Sequence, residues 1–113
     1  MDDKQQKGVA SELIAEYYLT KAGYFVYTKK SVQSAVDLVA IKPETGEVLL
    51  VDVKTASIRM SGAKIGSTIR RVLSEEQKRL NVHLLYVYEN KMCELISYKG
   101  DNIITRILNE VLD

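Results

Sequence analysis

The chain has a single cysteine, Cys93, in 113 residues. No intrachain disulfide can form, and no CxxC pair is available to hold zinc. Cys93 reads instead as a small apolar strand residue in a reducing compartment. No apolar run approaches the length needed to cross a bilayer. The opening residues, MDDKQQKG, are charged from the second position, which argues against a signal peptide and for a cytoplasmic protein without a membrane partner. Repeats, low-complexity tracts and linkers are also missing, so one domain is expected over residues 1–113. The net charge is only +1, with 46% hydrophobic and 27% charged residues, as in an ordinary soluble globule. Bulk charge therefore does not announce an anionic partner.

Acid is what is unevenly spread. Between Thr55 and Leu73 there is no acidic residue, while Arg59, Lys64, Arg70 and Arg71 all fall there. Such a stretch suits phosphate contacts, or else a solvated loop whose charges serve solubility.

Residues 4–22 read as an amphipathic helix with Val9, Ala10, Leu13, Ile14, Tyr17 and Tyr18 on one face, closed by Gly23. Strands are expected at Tyr24 to Thr28, Ala35 to Ile41 and Val48 to Thr55. The last two are joined by Lys42-Pro43-Glu44-Thr45-Gly46-Glu47, which has hairpin-turn chemistry. Residues 57–72 hold Gly62 and Gly66 and read as a mobile loop. Ser74 opens a helix, with Gln77 placed to complete a capping box. Two more strands, Val82 to Tyr88 and Met92 to Tyr98, precede a closing helix over Asn102 to Leu112. The order is α, three strands, α, two strands, α. The fold class is α/β, with a mixed five-stranded sheet flanked by helices, because the third and fourth strands are joined by a crossover.

The hairpin turn sets a register that places Asp37 opposite Asp52. Val36, Leu38 and Ala40 then share a wholly apolar face with Val53, Val51 and Leu49. The other face is apolar too until Asp37, Asp52 and Lys54 gather at one end. Opposed side chains have Cβ atoms about 5 Å apart. Two carboxylates near 4 Å repel by roughly 4 kcal/mol at an effective dielectric of about 20. Lys54 offsets part of that; a divalent cation held by converging oxygens would offset more. Two acids and a lysine so placed suit metal-assisted phosphodiester hydrolysis. A satisfied ion-pair network at a sheet edge is the structural alternative.

Asp37, a hairpin, then Asp52-Val53-Lys54 resembles the PD-(D/E)XK motif of the restriction-endonuclease-like nucleases. The wider pattern is similar to the archaeal-type and phage Holliday junction resolvases. Lys7-Gly8 followed by Glu12, eleven residues ahead of Gly23-Tyr24, matches their first helix, and Lys54-Thr55 their common Lys-Thr. Ser74-Glu75-Glu76-Gln77-Lys78 looks like the helix start after the motif, whose glutamine reaches the site; Gln77 is weighed equally as a mere capping residue. Val36 stands where the family has proline, and Asp52 where it commonly has glutamate. The resemblance implies Mg²⁺, with Mn²⁺ as substitute, held by Asp37, Asp52, the Val53 carbonyl and Glu12 rather than Glu16. It implies catalytic roles for Asp37, Asp52, Lys54, Glu12 and Gln77. DNA, branched in the resolvases, would be contacted by Arg59, Lys64, Arg70, Arg71, Lys29, Lys30, Ser34 and Thr55, in a C2 homodimer without a small-molecule cofactor. The alternatives are another nuclease of the same fold, such as a nickase, a homing or restriction enzyme or a virus-type repair nuclease, and an inactive nucleic-acid-binding module.

Overall fold

The computed structural model describes residues 1–99 and 102–109. The chain begins with helix α1 (Asp3–Lys21). Asp2 caps it, accepting from the Gln5 amide at 2.8 Å while the Gln5 side chain accepts from the Asp2 amide at 3.0 Å. Its other end is a Schellman motif: Gly23, at φ +99°, donates to the Thr20 carbonyl and Tyr24 donates to that of Leu19. The strands β1 (Phe25–Thr28), β2 (Leu38–Lys42) and β3 (Glu47–Thr55) follow. A short helix α2 (Glu75–Arg79) leads to β4 (His83–Val87), β5 (Cys93–Lys99) and β6 (Asn102–Ile107).

The strands form one sheet in chain order, antiparallel throughout except that β3 and β4 run parallel. The mixed α/β architecture is as expected, with six strands instead of five. The difference lies at the C-terminus, where residues 102–107 pair with β5 rather than forming a helix. Ile103, Ile104 and Ile107 fit a helical stripe, yet the β-branched run Ile103-Ile104-Thr105 suits a pleated surface and β5 offers an open edge. The expected helical positions 110–112 lie outside the described residues.

The β2–β3 register is the expected one, pairing Leu38 with Val51 and Lys42 with Glu47. Gly46, at φ +78°, makes the turn possible, and its amide donates to the Lys42 carbonyl at 2.8 Å. One face of the sheet buries Leu38, Ala40, Leu49, Val51, Val53, Leu85 and Leu95 against α1. Each such aliphatic side chain stabilises the fold by about 1.5–3 kcal/mol relative to exposure.

The helix packs chiefly through Ser11, Ala15 and Leu19; of the expected face Ile14 and Tyr18 also pack against the core, while Val9, Leu13 and Tyr17 face outward. Small side chains let α1 approach the sheet closely, and Ser11 Oγ lies 2.7 Å from Thr55 Oγ1 on β3. The other sheet face is covered only in part. Leu84, Tyr86 and Ile96 pack beneath Ala56, Leu73 and Tyr98, while Phe25, Tyr27 and Val48 stay exposed at 61%, 55% and 54%.

Residues 57–72 fold back on themselves through an Ile58–Thr68 bridge, so the expected loop has its own backbone hydrogen bonds. Cys93 is fully buried, as expected, and burial pushes its thiol up to about 12. Among the described residues no helix is long and apolar enough to cross a membrane.

Gly8 sits inside α1, where glycine costs about 1 kcal/mol relative to alanine. Its φ is not in the left-handed region, and a Cβ built there would meet nothing within 4 Å. Gly8→Ala is expected to stabilise the protein by about 1 kcal/mol in denaturant titration; a loss of stability would show that helix entry needs the glycine.

Candidate active site

The β2–β3 ladder continues one step past Leu38. The Asp37 amide donates to the Val51 carbonyl at 2.8 Å, which fixes Asp37 beside Asp52 on β3. Asp37 is then held from three sides. Its Oδ2 accepts from the Val53 amide at 2.8 Å, and its Oδ1 pairs with the Lys29 ammonium. Its backbone carbonyl accepts from the Lys29 amide at 3.2 Å, so Lys29 is the cross-strand neighbour that follows β1.

Asp52 is 7% exposed. Its Oδ2 accepts from Gln77 Nε2 at 2.9 Å and lies 3.5 Å from Lys54 Nζ. Gln77 makes the capping contact and the contact to the acid pair at once. Its Oε1 accepts from the Ser74 amide at 3.0 Å, closing the capping box of α2, while its Nε2 donates to Asp52 and, at 3.1 Å, to the Ala35 carbonyl. The five-residue helix is thereby pinned across the sheet end.

The two carboxyls titrate apart. Burial raises Asp52, and the neighbouring Asp37 carboxyl adds to that, against the opposing pull of Gln77 and Lys54. Burial would raise Asp37 as well, but its hydrogen bonds to Lys29, to Asp52 and to the Val53 amide overcome it and hold the group below the ordinary carboxylate value. The pair is thus asymmetric, with Asp52 shifted upward and Asp37 downward. Glu12 looks in from α1: burial raises its carboxyl first, and the Asp37 charge raises it further, with Lys29 opposing.

Asp37 and Asp52 supply hard oxygen donors of the kind that hold Mg²⁺, which commonly takes one or two carboxylates and fills its remaining positions with water and substrate oxygens. The donor set fits such an ion. Among the described residues no group of three or more His, Cys, Asp or Glu is gathered closely enough to hold an ion by itself, and Glu12 is coupled to the acid pair by charge. Val53 touches the pair through its amide, which donates to Asp37 Oδ2.

The expected DNA contacts divide. Lys29 lies in the acid cluster, where it pairs with Asp37. Arg70 is also committed elsewhere, pairing with Glu94 at 2.6 Å and lying over the Tyr86 ring at 5.2 Å. Arg59, Lys64, Lys30 and Arg71 are exposed, with the Arg71 amide anchored to Tyr86 Oη at 2.7 Å. Ser34 lines a shallow 130 Å³ hollow with Lys29, Val36 and Asp37. Thr55 is tied to α1 through Ser11. Lys29 could have been found from the sequence only by extending the β1–β2 register, which no turn motif specifies.

Pair geometry predicts opposite stability effects for two similar substitutions. The raised Asp52 contributes stability that is complete below the ordinary value of 3.8 and is lost as pH rises through its folded value. Asp52→Asn keeps a donor toward Asp37 without the charge. It should melt higher than the parent, by a margin that grows with pH above 3.8. The depressed Asp37 contributes stability present above 3.8 and lost as pH falls through its folded value. Asp37→Asn should therefore melt lower at neutral pH. Thermal scans across pH check both; equal shifts of one sign would contradict the split titration.

No family model matches the chain. Protein 5.3 of Escherichia phage T7 is 44% identical over 57 residues, which is 50% of this chain and 47% of that protein. The matched segment thus spans about half the length of each. Among solved structures, the bacterial homing endonuclease I-Ssp6803I superposes with a TM-score of 0.64 at 20% identity, covering 93% of this chain and 78% of that one. The chain is a single α/β domain that shares the fold of that endonuclease.

Proposed function

We propose that this protein is a metal-dependent endonuclease that hydrolyses DNA phosphodiester bonds, acting on branched DNA. The observation that carries the reading is the buried Asp37–Asp52 pair, with Lys54 and Gln77 both on Asp52. A stability-driven sheet gains nothing from two opposed acids there.

Asp37 and Asp52 would hold Mg²⁺ or Mn²⁺, which supplies a water of lowered pKa and neutralises charge on the phosphate. The chain's own groups do the rest. Gln77 keeps the Asp52 carboxyl aimed at the sheet end, and the Val53 amide does the same for Asp37. Lys54, half-exposed beside Asp52, orients the attacking water and faces the charge that develops on the phosphate oxygens. Lys29 pairs with Asp37 and would share the neutralisation of that carboxylate with a bound cation.

The preference for branched DNA rests on the resemblance to junction resolvases. Cutting a symmetric junction on two strands calls for two sites related by a twofold axis, hence a homodimer. The I-Ssp6803I fold favours a second reading, a homing- or restriction-type nuclease that cuts linear duplex.

A cleavage panel of four-way junction, flap, single-stranded and linear DNA, with and without Mg²⁺, separates these readings. Junctions should be cut in preference, only with the metal, and Asp37→Asn or Asp52→Asn should lose at least about a hundredfold in rate. Cutting of linear duplex alone would favour the second reading. DNA binding without cutting in either Mg²⁺ or Mn²⁺ would leave an inactive binding module.

A further inference from the structure

A groove of about 440 Å³ opens between the first turns of α1 and the end of β3. Lys4, Lys7 and Gly8 form one wall; Lys54, Ser57 and Arg71 stand on the other side, and no acidic residue lines it. Four cations thus face one channel, and one of them, Lys54, is the residue that touches Asp52. Lys7 shares its charge with Asp3 at 3.5 Å, on the exposed side of the helix. Lys4 and Arg71 have no ion-pair partner among the described residues. The floor is tied to α1 where Thr55 Oγ1 lies 2.7 Å from Ser11 Oγ.

Gly8 adds an independent observation. The helix tolerates a costly residue at a position where neither backbone conformation nor crowding within the chain requires one. The missing Cβ leaves the groove wall open, as a close approach of something outside the chain would need.

We propose that this groove seats the sugar-phosphate backbone of a DNA strand, with Lys4, Lys7 and Arg71 on successive phosphates and Gly8 permitting close approach to α1. The next phosphodiester along the strand then reaches Lys54 and the carboxyl pair. The proposal rests on the nuclease reading and adds the path by which the substrate enters. Acid-free walls favour a polyanion, and continuity with the acid pair favours a nucleic-acid strand over an unrelated acidic ligand.

The test uses the full-length Asp52→Asn protein, which should bind without cutting, and fluorescein-labelled four-way junction and duplex DNA followed by anisotropy over a range of salt. Lys4→Gln combined with Lys7→Gln should weaken binding and reduce the slope of log affinity against log salt by about 0.9 for each lysine. Gly8→Ala should bind several-fold more weakly while melting higher than its parent, a combination that a purely structural glycine does not give. An unchanged salt slope for the double lysine variant overturns the groove. So does a Gly8→Ala protein that melts higher and binds as its parent does. If the Asp52→Asn parent binds DNA and these variants match it, the groove alone fails; if the parent binds no DNA, the nuclease reading fails with it.

Discussion

The antiparallel pairing of β2 with β3 is the constraint on which the site depends, because it sets Asp37 against Asp52 where both are largely withdrawn from water. An apolar ladder of Leu38, Ala40, Leu49 and Val51 enforces that register: a slip by one residue would turn its aliphatic side chains away from α1. The energy that builds the sheet therefore also holds two acids together. Their mutual repulsion is answered locally by Lys29, Lys54, Gln77 and the Val53 amide.

This arrangement is asymmetric. Asp37 is surrounded by donors that shift its carboxyl downward, whereas Asp52 is more deeply buried and is shifted upward. A divalent cation held by both carboxyls would add positive charge where the two acids oppose each other. Gln77 matters because one amide links the cap of α2 to Asp52; loosening the helix would also loosen the carboxylate. The site opens at a sheet end beside a basic channel, a form suited to a long substrate lying across the surface.

Much of this was legible in the sequence because a single turn carries it. Lys42 to Glu47 has the chemistry of a tight hairpin, and period-two alternation on both sides fixes which residues oppose which. Other features had no such anchor. The stripe Ile103, Ile104 and Ile107 fits either a helix or a strand, and the open edge of β5 decided the matter. In α1 the largest apolar residues suggested the buried face, but close packing selected Ser11 and Ala15 and left Leu13 outside. Lys29 joins the acids through a β1–β2 pairing that a long intervening segment conceals, and Arg70 pairs with Glu94, which lies in a distant strand.

Carbon-detected NMR titration of the Asp37 and Asp52 carboxyl groups, repeated with Mg²⁺, tests the central pairing most directly. Asp52 should titrate above the ordinary value of 3.8 and Asp37 below it, and Mg²⁺ should draw Asp52 downward. Two carboxyls that titrate independently near 3.8, unmoved by the metal, would contradict the pairing as the source of function.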